Sequence, residues 1–385
     1  MAPESLAIEI RNNTSSPHLF VSITGQSPTS GLFLLSSDGS TPYHPASPSE
    51  TLTPPAVDVG IPIGGPGESR TLTIPRLAGA RIWLCKRDDG SQGGLKFFIN
   101  PGPALVEPSA TNVADENYGT DWGFAEFTLN EEQLYVNVSY VDFVSLPVSL
   151  GVVTRGKDGM RTVPGLPSGG LGTVAEGLEK QGGGWEKLVI RRDEGKGDVL
   201  RVLSPNSGGV LFPGLWDGYY AGYLDKVWDK YSNEDLTVNT QFTWGDVKGR
   251  VQNGNLTFKG AESSYSFAQP SAPDIFSCST GPFAHTPEAT QEQLNVGARL
   301  AAALNRSTLL KNSNQPEGEE IGEYYKEEVT NHYSRVCHEV SVGGRGYAFP
   351  YDDVGPSGRG EDEDQSGFLN DGDPERLVIS VGKPL

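Results

Sequence analysis

Two carboxyl residues, Glu126 and Asp142, occur inside segments whose composition otherwise predicts β-strands. Glu126 lies in the apolar and aromatic run 123–129, and Asp142 lies in the β-type run 134–150. Strand interiors are poor in acidic residues, and a carboxyl group among apolar neighbours has a raised pKa. Two such groups on one sheet face would supply an acid and a base for hydrolysis. The alternative is a hairpin whose polar residues simply face water.

The distance between the two carboxyl groups depends on how the chain runs between them. Residues 130–133 are polar and predict a turn. In a simple hairpin Glu126 would lie opposite residue 137 or 138, and Asp142 would lie about 13–16 Å further along. Two carboxyl groups that act together as acid and base on one substrate must stand closer than this. Cooperation therefore requires a bend or bulge between Asn137 and Asp142, and a shift of one residue would put the two groups on opposite faces.

Composition restricts the class of protein. The 385 residues include 49 Gly and 28 Pro, which favours turns and short strands over helical bundles. The net charge of −19 disfavours nucleic acid as a partner, whereas a neutral polysaccharide meets no such repulsion. Apolar runs are too short to cross a membrane. Residues 1–11 lack the pattern of a signal peptide, while asparagine sequons fit export, so secreted and intracellular locations both stay open.

The periodicity of apolar residues predicts a mainly β protein with a mixed α/β part. Alternation predicts strands at 7–10, 19–24, 71–74, 80–86, 96–99, 187–191, 199–203, 236–244, 249–258 and 377–381. Spacings of three and four predict helices at 216–231, 287–304 and 321–336, and residues 154–184 have a loop-like composition. We therefore expect a β lobe over 1–205, a mixed α/β lobe over 206–345, and a segment 346–385 that returns to the β lobe. A wide groove between the lobes would be the ligand site.

Two sequence segments resemble a known fold. AEFTLN (125–130) and LYVNVSYVDFVSLPV (134–148) resemble the signature of the thaumatin-like fold, and the match is closer to glycoside hydrolase family 64, β-1,3-glucanases built on that fold. WDGYYAGYLDKVWDKY from 216, NRSTLL from 305 and YAFPYDDVG from 347 resemble fungal members. The resemblance touches both halves of the chain, and its central motif is specific.

This resemblance implies roles for individual residues. Glu126 matches the general acid and Asp142 the general base of an inverting reaction. Positions that contact sugar in the family correspond to Thr128, Asn130, Tyr135 and Ser139. Hydroxyl groups on strands are more often simply solvated, so that alternative stays open. Tyr351 and Asp352 follow a proline in a loop, where they could extend an acidic groove.

The resemblance further implies an endo-type β-1,3-glucanase that acts on laminarin-like glucan and releases short laminari-oligosaccharides, especially the pentamer. We expect it to be a monomer that uses no cofactor or metal, and the resemblance suggests secretion. A rival from another class is a non-catalytic, thaumatin-like glucan-binding protein, because folds do not fix function.

Two minor features offer further hypotheses. Asp362, Asp364, Ser366, Gly367 and Asp373 have the spacing of a calcium loop, which would suit a calcium-dependent lectin, but the flanks are not helical and a solvated acidic loop is favoured. Three cysteines allow one disulfide at most. Cys278 with Cys337 is the candidate pair, and buried thiols are the alternative.

Overall fold

The computed structural model describes residues 1–88, 90–195, 197–261, 263–360 and 364–385. Its first strands are β1 (Ser5–Asn12), β2 (Leu19–Ser27), β3 (Gly31–Leu35), β4 (Pro42–Tyr43), β5 (Ile61–Gly64), β6 (Ser69–Pro75), β7 (Leu77–Lys86), β8 (Phe98–Asn100), β9 (Ala104–Val106), β10 (Asp121–Leu129), β11 (Leu134–Val138), β12 (Phe143–Val144), β13 (Val148–Thr154) and β14 (Arg161–Val163). The later strands are β15 (Val189–Arg191), β16 (Val199–Leu203), β17 (Leu236–Asn239), β18 (Asp246–Gln252), β19 (Asn255–Lys259), β20 (Ser264–Phe267), β21 (Asn314–Gln315), β22 (Phe368–Asp371) and β23 (Pro374–Val381).

Helices are concentrated in the later part of the described chain. They are α1 (Gly170–Gln181), α2 (Arg192–Gly195), α3 (Pro205–Leu211), α4 (Ala221–Asn233), α5 (Ala272–Ser277), α6 (Gln291–Arg306) and α7 (His332–Val340). Short 3-10 helices occupy Trp185–Leu188, Gly281–Phe283, Ile321–Glu323 and Val342–Gly344. The fold is therefore mainly β with several sheets, as the sequence predicts.

One sheet joins the two ends of the described chain. Its strand order is β14-β13-β23-β1-β6, and β23 pairs in parallel with β1, with Ile8 opposite Leu377. The strand predicted at 377–381 is thus confirmed, although it begins earlier, at Pro374. Burial alternates along β1, so Leu6, Ile8 and Ile10 are buried between more exposed neighbours.

A second sheet carries the two segments that resemble the family signature. Its order is β22-β11-β10-β7-β2-β3-β4, with β5 also paired to β2. Strand β10 lies between β7 and β11, and both pairings are antiparallel. Alternation along β10 puts Ala125 and Phe127 on one face and Glu126 and Thr128 on the other. A continuous cluster of buried apolar side chains includes residues from both sheets, among them Ile8 and Ile82.

A third sheet, β20-β19-β18-β17-β21, lies in the later part of the chain with α4 and α6. The tight turn predicted between β18 and β19 is confirmed, because Asn253 and Gly254 both have left-handed φ values of 51° and 81°. Helix α6 starts at Gln291 with Thr290 as its cap, later than the predicted start at residue 287. Helix α4 likewise begins at Ala221, since Gly218 with φ 72° holds the preceding residues in turns.

Two expectations about helices are wrong. Residues 321–336 do not form one helix, because Tyr325 has a φ of 60°, which a helix does not accommodate. Helix α7 begins at His332, and the Asn331 side chain caps it by accepting a hydrogen bond from the Ser334 amide. The segment 154–184 is not all loop, because it contains β14 and helix α1. Val174 and Leu178 on α1 are buried, and this packing outweighs the low helix propensity of its glycines.

The three cysteines are buried thiols. Cys278 donates a weak hydrogen bond to the carbonyl of Ile275 at 3.3 Å, and burial raises the pKa of Cys278 and of Cys337. The disulfide suggested for this pair is therefore not formed. Among the residues that the structure describes, no helix is both long and apolar enough to cross a membrane.

Candidate active site

The carboxylate of Glu126 has a defined place in the second sheet. Glu126 lies opposite Arg81 of β7 on one side and opposite Asn137 of β11 on the other. This confirms the register predicted for the hairpin. Directly opposed residues have Cβ atoms about 4.5–5.5 Å apart, so the Arg81, Glu126 and Asn137 side chains stand in one row on the same sheet face.

The chain bends between Asn137 and Asp142, as cooperation between the two carboxyl groups requires. Strand β11 ends at Val138, residues 141 and 142 form a bend, and the following strand β12 pairs with β16 in a different sheet. The carbonyl of Asp142 accepts a hydrogen bond from the Ser204 amide at 2.9 Å, which fixes its backbone. Asp142 therefore does not continue along the line of β11 away from Glu126.

The Arg81 guanidinium links two carboxylates. Its Nε donates to Glu126 Oε1 at 3.1 Å, and its Nη1 donates to Glu107 Oε2 at 2.6 Å. The guanidinium carbon lies 4.7 Å from the ring centroid of Phe124 and 5.4 Å from that of Trp83, both buried. Ring faces attract cations, so the Phe124 and Trp83 rings hold Arg81 in place. The Glu126 side chain remains 33% exposed.

Asp142 belongs to the same electrostatic cluster. Burial raises the pKa of Asp142, the Arg81 charge opposes this rise, and the Glu126 charge reinforces it. Burial also raises the pKa of Glu107, again opposed by Arg81 and reinforced by Asp142 and Glu126. Neighbouring carboxylates thus reinforce the rise for both Asp142 and Glu107, because like charges disfavour simultaneous ionisation. Such a cluster can hold and release a proton.

Two of the predicted sugar-contacting residues, Thr128 and Tyr135, lie on the face that carries Glu126. Thr128 stands opposite Tyr135, one step along the hairpin from Glu126 and Asn137. The Tyr135 ring stacks on Phe368 with centroids 5.2 Å apart, and burial raises the pKa of Tyr135 above its usual range. Ser139 is buried, and its hydroxyl has no hydrogen-bond partner within the described ranges of the chain.

The other predicted contacts have different surroundings. Asn130 is exposed, and its Oδ1 accepts hydrogen bonds from the Glu132 and Gln133 amides at 2.9 Å. Asn130 therefore shapes the turn that sets the hairpin register. Tyr351 is half-buried and lines a small cavity with Phe267 and Phe283. The sugar contact expected of Tyr351 stays a prediction.

The expectation that Asp352 contacts substrate is corrected by its burial. Asp352 is wholly buried, its Oδ1 lies 3.1 Å from Arg306 Nη2, and its Oδ2 accepts the Ala348 amide at 2.9 Å and lies 3.1 Å from His338 Nε2. Burial alone would raise the pKa of Asp352, but His338 and Arg306 together lower it. Since both oxygens are engaged inside the protein, Asp352 anchors the loop rather than facing a ligand.

Other acidic or hollow regions lie elsewhere. Asp364 accepts hydrogen bonds from Ser366 and pairs with Arg359 at 3.2 Å, whereas Asp362 of the suggested calcium loop lies outside the described residues. A cavity of about 500 Å³ lies at the far end of β10 and is lined by Lys86, Asp121 and other residues. Its charged groups pair with one another, with Arg192 Nη2 2.6 Å from Asp121.

Reasoning from the sequence missed three residues of the cluster. Arg81 was part of a predicted strand, and a basic residue in an otherwise apolar run was the available signal. Asn137 begins an Asn-Val-Ser sequon, which suggests an exposed position, but it is buried opposite Glu126. Glu107 follows β9 in irregular structure, so no periodicity marks it, and only the folded chain brings it to Arg81.

Glu126 on a strand and Asp142 in the bend after β11 share a charged neighbourhood, and paired carboxyl groups are the side chains that glycoside hydrolases use as acid and base. The model of glycoside hydrolase family 64, described as β-1,3-glucanase, matches residues 4–381. The chain therefore belongs to glycoside hydrolase family 64.

Individual relatives agree with this membership. The chain is 29% identical over 334 residues to a glucan endo-1,3-β-glucosidase of Cellulosimicrobium cellulans and 28% identical to one of Arthrobacter sp. (strain YCWD3). Each alignment covers 82% of this chain but 54% of the relative, so the chain spans about half the length of these curated relatives. Both are bacterial, and the resemblance to fungal members stays a prediction.

Solved structures extend the likeness to the fold. A laminaripentaose-producing β-1,3-glucanase in complex with laminaritetraose superposes with a TM-score of 0.84 at 30% identity, covering 98% of this chain and 99% of that one. A family 64 β-1,3-glucanase domain from Clostridium beijerinckii superposes with a TM-score of 0.74 at 19% identity, covering 99% and 100%. The second likeness concerns the fold alone.

Proposed function

We propose that the protein is an inverting endo-type β-1,3-glucanase that hydrolyses laminarin-like glucan, with Glu126 as general acid and Asp142 as general base. The observation that carries the proposal is the bend after Val138, which keeps Asp142 within the electrostatic field of Glu126 and Arg81. Without the bend, the straight strand would carry Asp142 out of reach.

The reaction needs only these two groups and water. Glu126 gives its proton to the glycosidic oxygen as the bond from that oxygen to the anomeric carbon breaks. Asp142 accepts a proton from a water molecule whose oxygen bonds to the same carbon from the opposite face, so the configuration inverts. Transfer of the proton from Asp142 to Glu126 through solvent restores the starting state.

The substrate class follows from the relatives. The superposed glucanase binds laminaritetraose and is named for its pentamer product, and we propose short laminari-oligosaccharides, chiefly the pentamer, as products here. Thr128, Tyr135 and Ser139 would contact sugar from the hairpin. We further propose a thaumatin-like β lobe over 1–205, a mixed lobe over 206–345 and a returning segment 346–385, with a groove between the lobes. A secreted monomer that acts without a cofactor fits this role.

Assays with laminarin test the proposal. Wild-type protein should release laminari-oligosaccharides whose new reducing end is first the α-anomer, detectable by NMR during the first minutes. Glu126→Gln and Asp142→Asn should each lower kcat by about 10²–10⁴-fold, the usual contribution of a general acid or base. Glu131→Gln is the matched control, because Glu131 lies on the same hairpin turn with 81% of its side chain exposed. Retained activity in either catalytic variant would refute the assigned roles.

A non-catalytic glucan-binding protein is the second candidate. The observation in its favour is the Arg81–Glu126 ion pair, because a neighbouring cation favours the charged carboxylate over the protonated acid that catalysis needs. This candidate predicts that wild-type protein sediments with insoluble β-1,3-glucan and releases no reducing sugar. Release of sugar that depends on Glu126 would exclude it.

A further inference from the structure

A third carboxylate, Glu107, competes with Glu126 for the Arg81 guanidinium. The Arg81 Nη1 to Glu107 Oε2 distance is 2.6 Å, shorter than the 3.1 Å from Arg81 Nε to Glu126 Oε1. Glu107 meets Arg81 through a terminal nitrogen, whereas Glu126 meets it through Nε alone. The positive charge therefore lies at least as close to Glu107 as to Glu126.

This sharing matters because the general acid must carry a proton. A cation that pairs with one carboxyl group alone favours its ionised form over the protonated form that a general acid needs. A second anion near the cation offsets that effect and adds its own negative potential at Glu126. Three carboxylates to one cation leave an excess of negative charge, which favours the retention of one proton in the cluster.

We propose that Glu107 is a positioning residue for the reaction: by holding Arg81, it allows Glu126 to stay protonated until the glycosidic oxygen takes the proton. The inference rests on the proposed function. Glu107 itself transfers no proton and contacts no reacting atom. It acts through Arg81, whose stacking over Phe124 keeps the guanidinium between the two carboxylates.

The charged and titratable surroundings of Glu126 make Glu107 a suitable residue to change. They are Arg81 on β7, Glu107 after β9, Tyr135 on β11 and Asp142 in the bend, with Asp353 beyond Tyr135. Tyr135 stays neutral at assay pH, because burial raises its pKa. Asp142 is the proposed base, and Arg81 packs on the Phe124 and Trp83 rings, so neither of these residues is suitable for the test. Glu107 has 38% of its side chain exposed, so its replacement leaves the core intact.

The test is the pH dependence of kcat/KM on laminarin for Glu107→Gln. In this variant Arg81 pairs with Glu126 alone, and an unshared cation favours the charged form of a carboxyl group. The alkaline limb, which reports the general acid, should therefore move to lower pH by roughly 0.5–1 unit. The acid limb, which reports Asp142, should move less. Glu107→Asp keeps the charge and should restore the alkaline limb toward its wild-type position.

Controls separate this inference from a structural effect and from the proposed function itself. Glu116→Gln removes another exposed carboxylate that pairs with a cation, Lys96, and both limbs should stay in place. An alkaline limb that is unchanged in Glu107→Gln would overturn the inference while the glucanase stands. A larger shift on the acid limb would also overturn it, because Glu126 would then be the base. If wild-type protein does not hydrolyse laminarin, the proposed function is refuted, and the inference about Glu107 is refuted with it.

Discussion

The Tyr333 hydroxyl on α7 donates a hydrogen bond of 2.6 Å to the backbone carbonyl of Tyr140, two residues before Asp142. Tyr333 is wholly buried, and the Tyr140 amide in turn donates to the Tyr347 carbonyl at 2.7 Å. Segments nearly two hundred residues further along the chain thus hold the bend that carries the proposed base. The position of Asp142 depends on this packing as well as on the hairpin.

Removal of that hydroxyl should affect catalysis more than folding. Tyr333→Phe leaves the Tyr140 carbonyl without its donor, which costs about 1–2 kcal/mol of unfolding free energy. A small displacement of Asp142 should lower kcat/KM on laminarin about tenfold, because proton transfer depends on geometry. Tyr219→Phe removes a similar bond, from the Tyr219 hydroxyl to the Thr330 carbonyl at 2.9 Å, and serves as the control. Equal losses of activity in both variants would show a general structural effect instead.

The acid side of the pH profile should reflect the burial of Asp142. As general base, Asp142 must be ionised, and burial raises its pKa. Activity should therefore be lost, as pH falls, at a pH above the ordinary aspartate pKa of about 3.9. The kcat/KM of wild-type protein on laminarin between pH 3 and 7 measures this limb. A midpoint at or below the ordinary value would contradict the assignment of Asp142 as the base.

The same burial predicts that Asp142 reduces stability at neutral pH. A carboxyl group whose folded pKa is raised costs stability above its unfolded pKa and nothing once it is protonated in both states. Asp142→Asn should therefore raise the melting temperature at pH 7 by about 1–3 °C, and the gain should disappear near pH 3. Asp229→Asn, on the exposed side of α4, should leave the melting temperature unchanged both at pH 7 and near pH 3. A gain that persists at low pH would point to packing rather than charge.

Local patterns predicted the hairpin well and distant partners poorly. The register that puts Glu126 opposite Asn137 follows from the turn at 130–133, and the need for a bend follows from strand rise alone. Both are properties of a short stretch of chain. Arg81 and Glu107 reach Glu126 from β7 and from the loop after β9, so neither could be placed without knowledge of strand order.

Misassigned helices and loops have a related cause. Residues 321–336 have helical spacing, but Tyr324 and Tyr325 turn inward toward the buried Arg306, and this tertiary contact decides their conformation. Because Asp352 follows a proline in a loop, the sequence predicts that it faces solvent. In the structure its carboxylate instead pairs with the buried Arg306 guanidinium. An internal cation leaves no periodic signal, so the residues that neutralise it are hard to recognise from sequence.

The buried role of Asp352 can be separated from a sugar contact. Asp352→Asn leaves the Arg306 charge under-compensated in the interior, which should lower the unfolding free energy by about 3 kcal/mol or more. The Michaelis constant of the folded fraction for laminarin should stay unchanged. Asp353→Asn alters the exposed neighbour, bonded to the Tyr347 hydroxyl, and should change stability by less than about 0.5 kcal/mol. A raised Michaelis constant at full stability in Asp352→Asn would restore the sugar-contact role.

Asn137 is the residue whose chemistry most needs a test. It lies directly opposite Glu126 with 7% of its surface exposed, and its Oδ1 has no hydrogen-bond partner in the part of the chain that the structure describes. A buried polar atom without a partner is costly, and this one becomes satisfied if it accepts a hydrogen bond from protonated Glu126 or from a substrate hydroxyl. Asn137→Ala should therefore lower kcat/KM by about 10–100-fold, the value of one hydrogen bond to a charged or reacting group.

The two possible partners of Asn137 differ in what they change. If Oδ1 accepts a hydrogen bond from the protonated Glu126 carboxyl group, it favours the acid form, and Asn137→Ala should move the alkaline limb of kcat/KM to lower pH. If it binds a substrate hydroxyl, the Michaelis constant rises and both limbs stay in place. Asn233→Ala, on the exposed end of α4, controls for loss of an amide. Wild-type kinetics in Asn137→Ala would show that its position opposite Glu126 has no part in the reaction.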